Sequence, residues 1–281
     1  MKTIKTQKGK PRPADPPPTM PKRKKASVAA REEDQKEDRS SLSRMLGTLR
    51  FFNRREPVLS AEQIAERAGV PTSTAYRYVK QLTNVGLLVR WKGGFALGQR
   101  IIELDLLIRE CDPVIIAAAK PMQELSLQTG LDILLTKIYA RSIMTVHIES
   151  TGKSRVLNFG RGRPLPLFKG SSSKAIVAFL PAARLRRMFD ENQANDPGSA
   201  KQGWSDFYAS MTRIRKLGYS LTKGELNSGI EGISAPIFAN GRDVVGSLTL
   251  IGDVDRMGLL REDAVVERLR KTVSIISAAL R

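Results

Sequence analysis

The chain has 281 residues, of which 41% are hydrophobic, and this is enough for two modest domains with buried cores. It has no apolar run of membrane-spanning length and no signal-peptide pattern, and its one cysteine, Cys111, excludes an internal disulfide. These features predict a cytoplasmic protein without a membrane partner. The formal net charge is +19, and residues 1–100 hold 22 Lys and Arg against 9 Asp and Glu. This imbalance favours DNA as a partner, with a generally cationic protein as the alternative.

Residues 1–39 are rich in Lys, Arg, Pro and mixed charge and nearly free of large apolar side chains. Such a segment buries too little surface to offset its ordering entropy, so we expect a disordered basic tail. The cluster Lys22–Lys25 is suited to contacting phosphates without sequence preference, and an ordinary solvated tail is equally compatible with the pattern.

Three helices are predicted after the tail. From Ser40, apolar residues recur at three- and four-residue steps up to Phe52, and Pro57 ends this first helix. Ser60 and Gln63 have the spacing of a capping box for a second helix that runs to Gly69. Pro71 favours a third helix that begins at about Thr72.

The hydrophobic period then changes from helix to strand. The segment LLVRWKGGFALG predicts two short strands around Lys92, Gly93 and Gly94, where a Gly-Gly pair supplies the positive φ angles of a tight turn. The segment IIELDLLIREC is helical again and apolar on more than one face, which favours a linker helix or a dimer contact.

The remainder, from Pro113, predicts a mixed α+β domain. Its first helix is expected to be interrupted or kinked near Pro121. Strands are predicted over DILLTKIY, RSIMTVHIES, GISAPIFA and DVVGSLTLIG, with Asn240-Gly241 as the turn of a hairpin, and the last helix covers about 261–280. Because hairpins connect these strands, we expect a mainly antiparallel sheet flanked by helices.

The third helix is the candidate DNA-reading element. Ala75, Tyr78, Val79 and Leu82 form its apolar face, and Ala65 and Gly69 suit a close crossing and a tight turn before it. The opposite face carries the predicted DNA-binding residues Ser73, Thr74, Tyr76, Arg77 and Lys80, joined by Arg90 and Lys92 in a wing. These residue types suit phosphates, a guanine edge or a thymine methyl group, although two ordinary amphipathic helices would give a similar pattern.

The run SAEQIAERAGVPTSTAYRYVKQLTNVGLLVR, followed by FALGQRIIEL, resembles the DNA-binding half of the IclR family of bacterial transcriptional regulators. The segments RPLPLFKGSSSKAIVAFLP and GYSLTKGELNSGIEGISAPIFANGRDVVGSLTLIG resemble its C-terminal half. The resemblance implies an α+β protein with a winged helix-turn-helix domain at 40–98, a linker helix at 99–112 and a GAF-like effector-binding domain at 113–281. It also implies assembly as a homodimer or homotetramer on operator DNA, next to the nucleoid.

The loop KGSSSKA contains the candidate effector site. Ser171 and Ser172 offer backbone N–H groups and hydroxyls where a helix begins, which suits a carboxylate, although ordinary helix capping explains the same pattern. The resemblance favours the first interpretation and implies eight effector-binding positions, namely Leu157, Leu165, Ser171, Ser172, Thr222, Gly232, Thr249 and Ile251.

Three of these positions depart from family members that hold small oxo-acids. Those members tend to have an acid, a thiol and a hydroxyl where this chain has Thr222, Gly232 and Ile251. We therefore predict a roomier and less polar pocket that suits a larger or aromatic organic acid.

An enzyme, a metal site and a cofactor are not predicted. His147 and Cys111 are the only residues of their kinds, so no His/Cys zinc site is possible, and His147 is interpreted as a sheet residue rather than a catalytic base. Two alternatives to an effector-controlled regulator remain. One is a sequence-tolerant architectural DNA-binding protein driven by its basic tail, and the other is a GAF-like sensor or enzyme that uses the winged helix for protein contacts.

Overall fold

The computed structural model describes residues 40–140, 142–150, 152, 160–195 and 203–281. These residues form two compact units, which meet in sequence between Leu104 and Asp105. The predicted basic tail, residues 1–39, lies outside the described residues.

The first unit consists of short helices followed by a hairpin. Its elements are α1 (Ser41–Gly47), a 3₁₀ helix (Thr48–Phe51), α2 (Ala61–Ala68), α3 (Thr72–Asn84), β1 (Leu88–Trp91) and β2 (Gly94–Leu97). The predicted capping box is present, since the Gln63 N–H donates to the Ser60 hydroxyl and the Ser60 N–H donates to the Gln63 side chain. The predicted first helix is shorter than expected, because its regular α part ends at Gly47.

The core of this unit lies between α2, α3 and the hairpin. Leu59, Ile64, Val79, Leu82 and Leu88 are each at most 1% exposed. Burying five such side chains contributes on the order of 1.5–3 kcal/mol each relative to leaving them exposed, so this small unit has a core of its own.

Helix α4 (Gln99–Cys111) follows the hairpin and continues from the first unit into the second. None of its residues is buried within the described part of the chain, and Ile102, Leu106, Leu107 and Ile108 are all about half exposed or more. The predicted helix is therefore present, and its apolar side chains are open to solvent in the single chain.

The second unit alternates helices and strands. Its elements are α5 (Pro113–Thr129), β3 (Asp132–Ile138), β4 (Ile143–Glu149), β5 (Pro164–Leu165), α6 (Ser171–Val177), α7 (Ala182–Asn195), α8 (Trp204–Leu217), β6 (Ser220–Lys223), β7 (Ile230–Ala239), β8 (Asp243–Asp253), α9 (Val254–Gly258) and α10 (Glu262–Ala278). Helix α5 is continuous through Pro121, so the predicted interruption there is wrong. None of the described helices has the length and apolar character needed to cross a membrane.

The six strands form one sheet in the order β5-β4-β3-β8-β7-β6, and every pairing is antiparallel. Successive side chains of a strand point to opposite faces, so each face has its own layer of helices. On one face, Ile133, Leu135 and Leu250 pack with residues of α5 and α10 such as Met122 and Leu269. The predicted antiparallel α+β fold is confirmed.

Candidate DNA-reading face and effector cavity

Helix α3 has the two faces that its sequence predicts. Ala75, Tyr78, Val79 and Leu82 are at most 3% exposed. On the opposite side, the predicted DNA-binding residues Ser73, Tyr76, Arg77 and Lys80 are exposed, and Thr74 is half-buried. Packing of the first face thus fixes the direction in which the second face points.

The turn before α3 depends on Gly69 and Ala65. Gly69 ends α2 in the left-handed region, with φ of 62°, where a side chain would be strained. Ala65 is 5% exposed and packs with Ala75 and Val79 in the core of the unit. A larger side chain at position 65 would push α2 away from α3, because this core is close-packed.

Tyr76 has a partner that the sequence did not reveal. Its hydroxyl donates a 2.8 Å hydrogen bond to Glu62 on α2, and this bond raises the pKa of Tyr76. The ring is 48% exposed, so it remains available for an apolar contact while its hydroxyl is held by the protein. An assignment of Tyr76 to phosphate binding is thereby weakened.

The wing turn differs from its prediction. Trp91 pairs with Gly94, so the two central residues are Lys92 and Gly93, with φ of 47° and 80°. Gly94 has an ordinary φ, and a Cβ atom there would lie 2.8 Å from the Leu59 carbonyl oxygen. The positive φ angles of the turn therefore belong to Lys92 and Gly93 rather than to the Gly-Gly pair, and Gly94 makes room for the backbone of Leu59. Arg90 is exposed, with its guanidinium carbon 5.8 Å from the centre of the Phe95 ring.

Seven of the eight positions predicted for the effector line one cavity beneath the start of α6. They are Leu165, Ser171, Ser172, Thr222, Gly232, Thr249 and Ile251. The eighth, Leu157, lies outside the described residues. Positions that are up to 86 residues apart in sequence thus meet at one place, and we call it the effector cavity.

The effector cavity is small in this structure, with a volume of about 30 Å³, which is room for about one water molecule. Glycine at position 232 does not open it, because the Ser171 hydroxyl lies 2.7 Å from where a Cβ of residue 232 would be. Leu226 also packs against Gly170, where its Cδ1 lies 2.5 Å from an ideal Cβ position. Neighbouring side chains therefore fill the space in this conformation, and the prediction that the pocket is roomier than in members that hold small oxo-acids stays a prediction.

Most polar groups of the effector cavity are bonded to one another. The Thr249 hydroxyl hydrogen-bonds with Ser172 and Ser234, both at 2.8 Å, and the Ser171 N–H donates to the Thr222 hydroxyl at 3.1 Å. Ser172, Ser234 and Thr249 are at most 6% exposed. Because burial makes an unpartnered polar group costly, these bonds stabilise the closed arrangement.

Sequence reasoning missed Glu225 and Leu226, which close the cavity from the loop between β6 and β7. The Glu225 carboxylate accepts a 2.9 Å hydrogen bond from the Gly170 N–H and pairs with Lys174 on α6. The backbone N–H at the start of α6 is thus already hydrogen-bonded to a carboxylate of the protein itself. The acid in KGELNSG was the available signal, but nothing local in that segment places it against residue 170.

The remaining chemistry-bearing residues do not converge. His147 Nε2 lies 2.8 Å from Glu149 on the same strand, and Cys111 is exposed. Among the residues that the structure describes, no three His, Cys, Asp or Glu side chains are grouped as metal ligands.

Two family profiles match the chain. The IclR helix-turn-helix domain matches residues 41–90, and the bacterial transcriptional regulator IclR C-terminal profile matches residues 110–278. The HTH-type transcriptional regulator KipR of Bacillus subtilis is 25% identical over 231 residues, which are 77% of this chain and 90% of KipR. Such relatives are transcriptional regulators rather than enzymes.

Solved structures share the fold. An IclR transcriptional regulator from Alicyclobacillus acidocaldarius has a TM-score of 0.73 at 18% identity, covering 86% of this chain and 98% of that one. An IclR homologue from Microbacterium hydrocarbonoxydans, complexed with 4-hydroxybenzoate, has a TM-score of 0.72 at 22% identity, covering 86% and 99%. Since the profiles match both units in order and the second alone spans more than half of the sequence, the chain belongs to the IclR family of DNA-binding transcriptional regulators.

Proposed function

We propose that this regulator reads its operator with the outward face of α3 and that an organic acid in the effector cavity changes its affinity for DNA. Arg77 contacts a base edge in the major groove, while Ser73, Thr74 and Lys80 contact phosphates. Tyr76 presents its ring to a thymine methyl group, and Arg90 and Lys92 contact the backbone beside the groove. All of these side chains except Thr74, which is half-buried, are exposed, and this supports the assignment.

The observation that carries the effector proposal is the meeting of seven predicted positions around one cavity. Four apolar side chains, those of Leu134, Leu165, Ile230 and Ile251, lie beside its hydroxyls and backbone amides, a combination that suits a small organic acid with an apolar body. The family member from Microbacterium hydrocarbonoxydans was crystallised with 4-hydroxybenzoate, which is such an acid.

Entry of an acid requires the loop that carries Glu225 and Leu226 to move. The acid then takes over the Gly170 N–H from Glu225 and the space from Leu226. Ser172 and Ser173 add two backbone N–H groups that have no acceptor among the described residues. A ligand that prefers the opened loop shifts the balance between two states of the regulator, and DNA must change the affinity for the acid by the same factor.

A chain of contacts leads from the cavity to α4. Leu165 lies in the cavity wall on β5, and the preceding turn carries Arg161. Arg161 donates two hydrogen bonds, of 3.0 and 2.7 Å, to the Asp105 carboxylate on α4. A ligand that displaces β5 would therefore move Arg161 and, through its hydrogen bonds to Asp105, the helix α4.

The exposed apolar residues of α4 support assembly as a homodimer or homotetramer, in which two recognition helices read the half-sites of a pseudo-palindrome. The proposed location is the cytoplasm, in association with the nucleoid. The approximate divisions at residues 39, 98 and 112 are proposed as the limits of tail, DNA-binding domain and linker.

The test uses a duplex selected from a random pool by the full-length protein. Fluorescence anisotropy measures its dissociation constant, with and without 4-hydroxybenzoate and a panel of shorter acids. We expect an acid to change this constant in wild type and in Gly258→Ala, where a Cβ meets nothing within 4 Å. The response should be lost in Gly232→Val, where the added atoms overlap the Ser171 hydroxyl.

Three outcomes would contradict parts of this proposal. No response to any acid would remove the effector role of the cavity. Equal responses in Gly232→Val and wild type would move the effector elsewhere. A steep salt dependence with equal affinity for selected and random duplexes would instead identify an architectural DNA-binding protein.

A further inference from the structure

A second cavity lies on the same unit, away from the effector cavity, with which it shares no lining residue. Its volume is about 430 Å³, and it lies between the end of α8, the end of α10 and the second half of β7. Three of its lining residues are Arg215, Arg270 and Arg281, and no Asp or Glu side chain lines it. We call it the arginine cleft.

The arginine cleft lies along a stretch of β7 that none of the described strands covers on one side. Strand β6 pairs with β7 only as far as Ser234, whereas β7 continues to Ala239. Pro236 has no N–H to offer, and the Phe238 N–H already donates to the Ser277 hydroxyl at 3.1 Å. An extended peptide would find few donors here, so the cleft suits a small molecule better than an added strand.

Neighbouring residues hold two of the three arginines of the cleft, Arg215 and Arg270, in place. The guanidinium of Arg270 lies 5.5 Å from the centre of the Tyr219 ring and donates to the Leu217 carbonyl. The guanidinium of Arg215 lies 5.0 Å from the Tyr208 ring and donates to the Thr212 hydroxyl at 2.8 Å. A guanidinium has five N–H donors, so each keeps several for a ligand.

Among the residues that the structure describes, both arginines also lack an ion-pair partner. Ion pairs among the described residues involve neither Arg215 nor Arg270, although the cleft collects positive charge. Because the neighbouring aromatic rings, the Leu217 carbonyl and the Thr212 hydroxyl hold these two guanidinium groups in place, a ligand loses little free energy in ordering them. Planar guanidinium groups recognise carboxylates through paired hydrogen bonds.

The floor of the cleft is apolar. The Phe179 and Phe238 rings meet edge to face with centres 5.3 Å apart, and Ala235 and Val273 lie beside them. A small inorganic anion would not cover the apolar floor of the cleft. A neutral aromatic molecule would cover the floor but would give the arginines no negatively charged partner. We propose that the arginine cleft is a second ligand site, which binds an aromatic carboxylate.

Such a ligand would contact the far end of the helix that lines the effector cavity. Phe179 lies two residues after Val177, the last residue of α6, whose first residues are Ser171 and Ser172. The proposal is independent of the proposed effector site, because it rests on other residues and other contacts.

The test measures benzoate binding to the full-length protein by calorimetry, with benzyl alcohol and inorganic phosphate as probes of the apolar and charged parts alone. Arg270→Gln and Arg215→Gln should each weaken benzoate binding about tenfold or more, since each removes a charge-assisted hydrogen bond. Arg213→Gln, on the same helix but outside the cleft, should leave it unchanged. The arginine variants are compared in a Gly232→Val background, so that binding to the effector cavity does not contribute. Thermal unfolding of each variant establishes that it is folded.

Benzoate binding that survives both arginine substitutions would overturn the inference, as would equal binding of benzoate and benzyl alcohol or of benzoate and phosphate. Loss of binding in Gly232→Val alone would place benzoate in the effector cavity, which overturns the second site and supports the first. If benzoate binding were lost only in the arginine variants and no acid altered the affinity for the operator, the second site would be supported and the proposed effector role of the other cavity would be contradicted.

Discussion

On the outward face of α3, Arg77 and Lys80 extend into solvent without an ion-pair partner among the described residues, whereas the hydroxyls around the effector cavity are bonded to one another. The first surface is ready for a partner as it stands. The second is closed by its own side chains, so a ligand must break protein–protein hydrogen bonds to enter. The contrast teaches that the two proposed sites are recognised from different features, since the proposed DNA-reading face is exposed, whereas the proposed effector site brings distant residues together.

The largest expected effect comes from Thr249→Val in the cavity. The substitution keeps the shape but removes the hydroxyl that pairs with Ser172 and Ser234, both buried. Leaving two buried hydroxyls without this partner should lower the free energy of unfolding by about 2–4 kcal/mol. Urea denaturation measures this loss. A change within about 0.5 kcal/mol would mean that the hydroxyl network does not hold the cavity closed.

Arg77→Ala on the exposed face should behave in the opposite way. The free energy of unfolding should stay within about 0.5 kcal/mol of wild type, because the side chain is exposed. Binding of the selected duplex should weaken by about 1–3 kcal/mol, and discrimination at one base pair should relax. Anisotropy titrations with single-base variants of the duplex measure both, and Lys271→Ala, which is exposed on α10, serves as the charge-matched control. Equal weakening on all duplexes would reassign Arg77 to a phosphate.

Lys92→Gly separates backbone strain from charge in the wing. Lys92 has a φ of 47°, which glycine adopts without steric cost, so the free energy of unfolding should rise by about 0.5–1 kcal/mol. Loss of the cation should weaken all duplexes alike and reduce the salt slope by about 1. Unfolding curves and salt titrations measure the two effects. If Lys92→Gly instead relaxed discrimination at one base pair, as expected for Arg77→Ala, the separate roles of helix and wing would be contradicted.

The smallest effect is expected at Asp105. The Arg161 hydrogen bonds hold the pKa of this carboxyl below its ordinary value, with a smaller contribution from Arg109. A lowered folded pKa contributes stability above the unfolded pKa, and this contribution is lost as the pH falls through the folded value. The melting temperatures of wild type and Asp105→Asn should therefore differ slightly at neutral pH and converge below about pH 4. A difference that persists in acid would show that the pairing is not electrostatic.

The sequence predicted the helices and the antiparallel sheet because periodicity and turn chemistry are local. The faces of α3 follow from residues three and four apart, and Asn240 and Gly241 have the predicted positive φ angles of 50° and 73°. The small size of the cavity was not predictable in this way. It depends on Leu226 and Glu225 packing against residue 170, which lies 55 residues away from Glu225 in sequence.

Two smaller errors have a similar origin. Gly94 was read as a turn residue, although it is required by the Leu59 carbonyl, which approaches from a distant segment. Pro121 was read as a break, although helix α5 continues through it, held by packing of Met122 and Leu125 against the sheet. Tertiary packing determines the structure at both positions, and a single sequence does not show which distant residues pack against them.

Helix α4 exposes most of its apolar side chains in the single chain, and a helix of 13 residues is marginal in water on its own. In the proposed homodimer or homotetramer, a second chain covers those side chains and binds only the folded form, so the order of α4 would depend on protein concentration. The melting temperature would rise with protein concentration as mass action requires. In such an assembly, dilution would uncover α4 and weaken the proposed coupling between the effector cavity and α3, so protein concentration would be a control on the strength of regulation.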